Sequence, residues 1–296
     1  MELIDGKLIS AEIKHEMAEK VVKLIDSGRR APHMAAVLVG HDGASETYVA
    51  SKEKTCREVG FTSSIYRYQD TISEQELLDV IEFLNKDEEV DGFIVQLPLP
   101  KHMNVDKIIS AIDPNKDIDG FHPMNIGKMV LNQDSFLPAT PFGIMELIKR
   151  SGLETVGKNC VILGRSNIVG TPMAMLMSRN NSSANATVTM CHSKTKNIKE
   201  VAAQADILIV ALGKPGFVSA DMVKEGACVI DVGIHRIPDD SKKSGCRLIG
   251  DVQFDEVAPK CKAITPVPGG VGPMTIAGLL INTMRAYDIN MKKQGK

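Results

Sequence analysis

The sequence contains no tryptophan and only four tyrosines and eight phenylalanines, too few rings for a platform that stacks nucleic-acid bases. It lacks an excess of either charge: 35 basic residues stand against 37 acidic ones, a formal net charge of −2. Binders of nucleic acid or of anionic membranes carry a basic surplus or patch, so neither class of partner is expected. The six cysteines, at positions 56, 160, 191, 228, 246 and 261, form no C-x-x-C pair. That spacing gives neither a zinc site nor a disulfide framework, and reduced thiols in a cytoplasmic protein are the expectation. The opening "MELIDGKLISAEIKHEMAEK" has neither the profile of a secretory signal nor the Arg-rich, acid-poor character of a transit peptide. Apolar runs such as "DILIVAL" are far too short to span a bilayer. A soluble protein with no membrane partner is expected, and 296 residues suffice for two modest domains.

What the sequence does contain is an alternation of strands and helices. Ile13, Met17, Val21 and Leu24 stand at helical spacing in residues 10–26, and "HMAAVLVG" reads as a buried strand of the parallel-sheet kind. "ASETYVASKEKTCREVG" follows as a helix with Ser45 as N-cap and Gly60 just past its end. "TSSIYRYQ" reads as a strand, "SEQELLDVIEFLNKD" as a helix whose Ser73 and Glu76 form a capping box, and "VDGFIVQLPLP" as a third strand. Loops with a short helix or two lead to the helix "TPFGIMELIKRSG". A second alternating series then begins at Cys160, residues 236–248 read as a charged hairpin or loop, and a last helix covers roughly residues 275–289. The fold class is therefore α/β with two domains joined near residues 138–150.

"VILGRSNIVGTPMA", residues 161–174, reads as a strand, a glycine loop and a helix start. That geometry points free backbone N–H groups at an anion. The spacing is not G-x-G-x-x-G: Arg165 and Ser166 follow Gly164, and the next glycine is Gly170. The following strand, "ATVTMC", ends in "HSKTK", without the acidic residue that bonds the ribose hydroxyl of NAD. A carboxylate there would repel a 2′-phosphate, whereas Ser193 donates to one and the Arg165 fork pairs with it. Lys194 and Lys196 add positive potential. "HSKTK" alone reads as a solvated basic turn; joined to the loop before it, it predicts NADP.

Other signals are individually weak. Tyr48 and Lys52 share one helix face. Gln96 ends a predicted buried strand, where an amide is out of place. Asp113, Asp117 and Asp119 suggest a metal at first sight, but the EF-hand pattern fails and a turn is the plainer reading. His122, His192 and His235 lie in separate loops without ligand spacing, so no metal site is expected.

Taken in order, "SETYVASKEK", "VQLPLP", "KDIDGFHPMNIG", "PATPFG", "GRSNIVGTPMA", "CHSKT", "DVGI", "GDV" and "ITPVPGGVGPMT" closely resemble the bifunctional methylenetetrahydrofolate dehydrogenase/methenyltetrahydrofolate cyclohydrolase family. The resemblance runs from about residue 3 to residue 288 and is to the stand-alone bacterial type. It implies a folate-binding catalytic domain of residues 1–138, with the C-terminal helix 276–296 packing back on it. The remainder, residues 139–275, becomes a Rossmann-like NADP-binding domain. It also implies oxidation of 5,10-methylenetetrahydrofolate with NADP, hydrolysis of the methenyl product to 10-formyltetrahydrofolate, and a place in one-carbon metabolism and purine biosynthesis. A homodimer is implied as well, and the substrates are tetrahydrofolate derivatives whose polyglutamate length the sequence leaves open.

Carried across residue by residue, the resemblance makes Lys52 the central catalytic group, held by Gln96, with Tyr48 packing over the folate and Asp119 bonding the pterin edge. Leu97, Pro98, Pro268, Gly269 and Gly270 complete the substrate contacts. Gly164, Arg165, Ser166, Ile168 and Ser193 contact the cofactor, and Thr140, Ile234 and Thr275 line the rest of its channel. The residue types suit the chemistry, since hydride loss needs positioning and hydrolysis needs a proton carrier such as a buried lysine. Three alternatives remain at this point. They are a dehydrogenase-only family member, another two-domain NADP-dependent dehydrogenase of shikimate type, and a binding protein that has kept its pockets.

Overall fold

The computed structural model describes residues 1–242 and 245–295. The chain opens with strand β1 (Glu2–Leu3) and helix α1 (Gly6–Asp26). Ile9, Ile13, Met17 and Val21 of α1 are buried at intervals of one turn, which is the stripe that makes the segment an amphipathic helix. Strands β2 (His33–Val39), β3 (Thr62–Tyr68) and β4 (Gly92–Val95) then alternate with helices α2 (Gly43–Glu58) and α3 (Glu74–Lys86). The strands form a three-stranded parallel sheet in the order β3-β2-β4. Beyond it come α4 (Val105–Ser110), α5 (Pro123–Val130) and α6 (Ala139–Arg150).

The second series runs β5 (Asn159–Leu163), α7 (Gly170–Met177), β6 (Thr187–Cys191), α8 (Ile198–Ala202), β7 (Ile207–Val210) and β8 (Cys228–Asp231). A two-stranded antiparallel ribbon of β9 (His235–Pro238) and β10 (Cys246–Ile249) follows, then α9 (Phe254–Val257), β11 (Ala263–Ile264) and the long α10 (Val271–Lys293). The ribbon matches the expected charged hairpin, of which residues 243–244 lie outside the described residues. The larger sheet is parallel with order β1-β11-β8-β7-β5-β6.

The chain divides into two compact units. One comprises Ala11–Ala139 with Ile276–Lys296, the other Met1–Ser10 with Thr140–Thr275. In the first unit the core gathers Val37, Leu77, Ile81, Leu84 and Phe93; in the second it gathers Leu163, Leu208, Val210, Val229 and Ile264. Strand order reverses direction between β2 and β4 in the small sheet, and between β5 and β7 in the large one. Clefts at the carboxyl ends of strands open at such switch points, and both candidate half-sites lie there. No helix among the described residues is long and apolar enough to cross a membrane.

Three local expectations change, and the expected capping box on α3 holds. Residues 1–10 do not belong with the first unit, because Glu2 and Leu3 pair with Ala263 and Ile264 at the edge of the large sheet. Ser45 is not the N-cap of α2; Asp42 is, and its carboxylate accepts from the Ser45 N–H at 2.8 Å. The last helix starts at Val271 rather than 275 and runs on to Lys293, because a proline is tolerated in the first turn, where its missing N–H has no partner to lose. The capping box on α3 forms with both reciprocal bonds.

Candidate active site

Helix α2 carries Tyr48 and Lys52 one turn apart, so both side chains leave the same face. Lys52 is only 7% exposed, and its Nζ donates to Gln96 Oε1 at 3.0 Å. Gln96 directly follows β4: its backbone N–H donates to Val37 O at 2.9 Å. Its Nε2 donates to Leu97 O at 2.7 Å. With the amide nitrogen committed to Leu97, the oxygen is the end left for the amine. Burial pulls the Lys52 ammonium below the ordinary lysine range, and the Asp119 carboxylate partly opposes the shift. The result is an oriented amine whose neutral form is brought toward the range where proton transfer is useful. Tyr48 is half-buried, and that burial raises its phenol and keeps it protonated. Cys56, one turn beyond Lys52, has its thiol pushed up to about 12 by burial and rests 3.8 Å from Met34 Sδ, so it is no nucleophile. The Leu97–Pro98 bond that continues this loop is cis.

The three aspartates divide into separate tasks. Asp113 caps the Asn115 turn. Asp117 is buried and accepts from the N–H groups of Gly120, Phe121 and His122 and from Asn125 Nδ2, which locks the loop. Asp119 is half-buried, its carboxyl pushed up to about 6 by desolvation, with Lys52 opposing and Asp117 adding. No hydrogen bond is donated to its carboxylate among the described residues, which leaves both oxygens able to accept from a ligand. Its backbone is held instead, with Asp119 O accepting from Ala139 N at 3.1 Å. Asn282 of α10, buried at 2% exposure, donates through Nδ2 to Ile118 O at 2.8 Å and Leu137 O at 2.9 Å. Among the described residues no three of His, Cys, Asp and Glu are placed to hold a metal ion. His122 caps α5, its Nδ1 accepting from Met124 N.

In the second unit Gly164 ends β5 with φ at +128°, and a Cβ there would lie 2.3 Å from Ala211 O. Only glycine permits this conformation and this approach of the loop after β7. A Cβ on Gly170 would meet Gly164 O at 2.2 Å, so the first turn of α7 presses directly on the strand end. The loop between them is tied by Ser166, whose Oγ accepts from Val169 N and whose carbonyl accepts from Thr171 N. Arg165, Ser166 and Ile168 are exposed. Leu163 and Cys191 are paired across β5 and β6, so Arg165 and Ser193 each stand two residues beyond matched strand ends. Ser193 is exposed in a turn fixed by Thr195 Oγ1 and His192 Nδ1. Arg165 has no ion-pair partner among the described residues. The glycine loop, the unengaged guanidinium and the absence of an acid after β6 together fit a nucleotide bearing a 2′-phosphate.

The remaining expected residues fall in this second unit. Thr140 and Thr275 share a hydrogen bond of 3.0 Å between their hydroxyls, and Ile234 is 43% exposed just after β8. The Val267–Pro268 bond is cis. Gly269 and Gly270 are buried, with Gly269 O accepting from Lys7 N at 3.0 Å; of the three expected loop residues only Pro268 is exposed. Sequence reasoning missed Asn282, Asp231 and Asp251. The last two stand in the quoted motifs "DVGI" and "GDV", which could have flagged them.

Comparison with known proteins places the chain in a family. Residues 4–119 match the catalytic domain of tetrahydrofolate dehydrogenase/cyclohydrolase, and residues 138–291 match its NAD(P)-binding domain. The chain is 60% identical to the bifunctional protein FolD of Cytophaga hutchinsonii, covering 97% of this chain and 99% of that one. Among solved structures, the bifunctional FolD of Campylobacter jejuni shares 47% identity at a TM-score of 0.91, covering 98% and 99% of the two chains. The FolD of Trypanosoma brucei, complexed with NADP cofactor and inhibitor, shares 36% at 0.92, covering 98% of each. A shikimate 5-dehydrogenase of Thermus thermophilus shares 13% at 0.51, covering 86% and 99%. That likeness is one of fold alone, and it leaves the shikimate-type alternative without support. By both domain matches and by identity over nearly its whole length, the chain belongs to the tetrahydrofolate dehydrogenase/cyclohydrolase family.

Proposed function

We propose that this protein oxidises 5,10-methylenetetrahydrofolate with NADP and hydrolyses the methenyl product to 10-formyltetrahydrofolate. The observation that carries the hydrolytic half is the buried Lys52 Nζ aligned by Gln96 Oε1 at 3.0 Å. Bound NADP supplies the hydride acceptor. Arg165 and Ser193 hold its 2′-phosphate, Gly164, Ser166 and Ile168 form the nest for the nucleotide, and Thr140, Ile234 and Thr275 line the rest of its channel. On the folate side Tyr48 packs over the ring system, Asp119 accepts from the pterin N–H edge, and Leu97, Pro98 and the segment Pro268–Gly270 flank the substrate.

Loss of hydride from the methylene carbon needs no base, because the adjoining nitrogen lone pairs stabilise the cation, and the chain's part is alignment. Hydrolysis needs a proton to move. Water adds to the methenyl carbon, and its proton passes to neutral Lys52 Nζ. The same amine then protonates the ring nitrogen as the carbon–nitrogen bond breaks, and the remaining hydroxyl releases its proton to solvent as the formyl carbonyl forms. Gln96 does not titrate; it fixes the amine and the water. A homodimer, a cytoplasmic location, a place in purine biosynthesis and use of polyglutamylated folates extend the reading from the family resemblance. Lys52→Met tests it: folate binding should persist while hydrolysis is lost. Normal cyclohydrolase turnover in that variant contradicts the assignment.

A further inference from the structure

Two buried carboxylates in the second unit have no part in the scheme above. Asp251 follows β10 and is fully buried. Its Oδ2 accepts from Leu212 N at 2.7 Å and Gly213 N at 2.9 Å, and its Oδ1 from Lys214 N at 2.8 Å and His235 Nε2 at 2.7 Å. Asp231, at the end of β8, holds Asp251 in turn: its Oδ1 accepts from Gly233 N and Asp251 N, and its Oδ2 from Val252 N. The nesting is close. A Cβ on Gly233 would lie 2.5 Å from Asp251 Cγ, and one on Gly250 would lie 1.8 Å from Asp231 Oδ2.

The position of this network is informative. Leu212–Lys214 follows β7, and Gly233–His235 follows β8. Both loops leave the carboxyl edge of the parallel sheet, where a nucleotide lies. The first begins at Ala211, whose carbonyl presses on Gly164 of the nucleotide loop; the second carries the exposed Ile234. A surface turn is stabilised by one exposed Asn or Asp. Burying a charge to hold three consecutive amides is costly unless every lone pair is met. Here four donors meet it, and what the arrangement gains is a fixed backbone in two loops at once.

We infer that Asp251 is a positioning residue for the nicotinamide nucleotide: it shapes the 212–214 and 233–235 loops on which cofactor binding depends, while hydrolysis proceeds without it. The inference rests on the functional reading above. It also predicts a split that a merely structural residue does not produce, because hydrolysis of the methenyl substrate needs no nucleotide.

The test is Asp251→Asn in the full chain, which keeps the shape but turns an amide N–H toward backbone donors. NADPH binding to the free protein is followed by its fluorescence, and cyclohydrolase turnover on methenyl substrate is measured without nucleotide. Leaving buried donors unpaired weakens NADPH binding by about tenfold or more, with cyclohydrolase kcat/KM unchanged within about twofold. Unchanged NADPH binding, or an equal fall in both properties with the fold intact, overturns the inference. If Asp251→Asn does not fold, His235→Gln decides, since it disturbs one of the four donors and leaves the carboxylate. A rise of about threefold in the NADPH dissociation constant with normal hydrolysis supports the inference, and no rise overturns it. Failure of the functional reading is separable: the unaltered protein would then lack both activities, whatever its affinity for NADPH.

Discussion

Replacing Gln96 by glutamate places a carboxylate where an amide oxygen now accepts from Lys52 Nζ at 3.0 Å. Two unit charges at that distance attract by about 5 kcal/mol at an effective dielectric of about 20. Burying the new carboxylate and adjustment of the pair return part of this, so about half is a fair expectation for the Lys52 proton. That raises its pKa by about 2 units. Neutral amine then falls about 100-fold at a fixed pH below the original value. Cyclohydrolase kcat at neutral pH should fall by about the same factor, and its alkaline rise should move up by about 2 pH units. The dehydrogenase, which needs no neutral amine, should lose much less. The assay follows decay of methenyl absorbance from about pH 6 to about pH 10, where lysine titration is visible. Gln96→Met is the control, since it removes both side-chain bonds without adding charge and should leave the pH profile in place. A Gln96→Glu profile superimposable on that of the unaltered protein refutes the role given to the pair.

Three further outcomes follow from the geometry. Asn282→Ala leaves the carbonyls of Ile118 and Leu137 buried without their donor; denaturant unfolding should show a loss of about 2–3 kcal/mol, and a loss under about 0.5 kcal/mol contradicts the bonding. Gly164→Ala forces a Cβ within 2.3 Å of Ala211 O, so NADPH binding should be lost by titration while hydrolysis largely survives; retained affinity contradicts the close approach. Asp119 has its folded carboxyl raised to about 6 from an ordinary value of about 3.9. Its contribution to stability is therefore complete below the ordinary value and is lost as pH rises through about 6. Asp119→Asn should gain on the unaltered protein across that window by about 1–3 kcal/mol, and a pH-independent difference between the two unfolding curves contradicts the raised value.

Much of the fold was legible because it rests on local pattern. The Ser73–Glu76 capping box, the alternating strands and the glycine loop after β5 each declare themselves within a few residues. The exceptions share a physical cause. Asp42 and Ser45 are both good caps three residues apart, and only the helix geometry decides that Ser45 supplies the N–H and Asp42 the oxygen. Strands β1 and β11 have two residues each, too short for any periodicity, and form because β11 pairs with β8 on one edge and with β1, across most of the chain length, on the other. Gly272 and Pro273 read as loop, yet open the first turn of α10.

The site divides in the same way. Lys52, Gln96, Tyr48 and Asp119 stood in motifs and are brought together within the first unit, with Lys52 bonded to Gln96 and electrostatically coupled to Asp119. Arg165 and Ser193 were argued from a missing acid, and each stands two residues beyond the paired ends of β5 and β6. Asn282 gave no signal, because an asparagine inside an apolar helix looks like a weak helix former until its carbonyl partners, more than a hundred residues away, are known. Asp231 and Asp251 stood in the motifs "DVGI" and "GDV", but they are twenty residues apart and nothing in the sequence joins them into one network.

The most direct test of the central claim gives the purified protein 5,10-methylenetetrahydrofolate with NADP or with NAD and follows reduced nucleotide and methenyl intermediate together. The account predicts reduction with NADP, strongly preferred over NAD because Arg165 and Ser193 meet the 2′-phosphate, with methenyl failing to accumulate because Lys52 directs its hydrolysis. Methenyl building up in step with reduced NADP, or no reduction with either nucleotide, contradicts it.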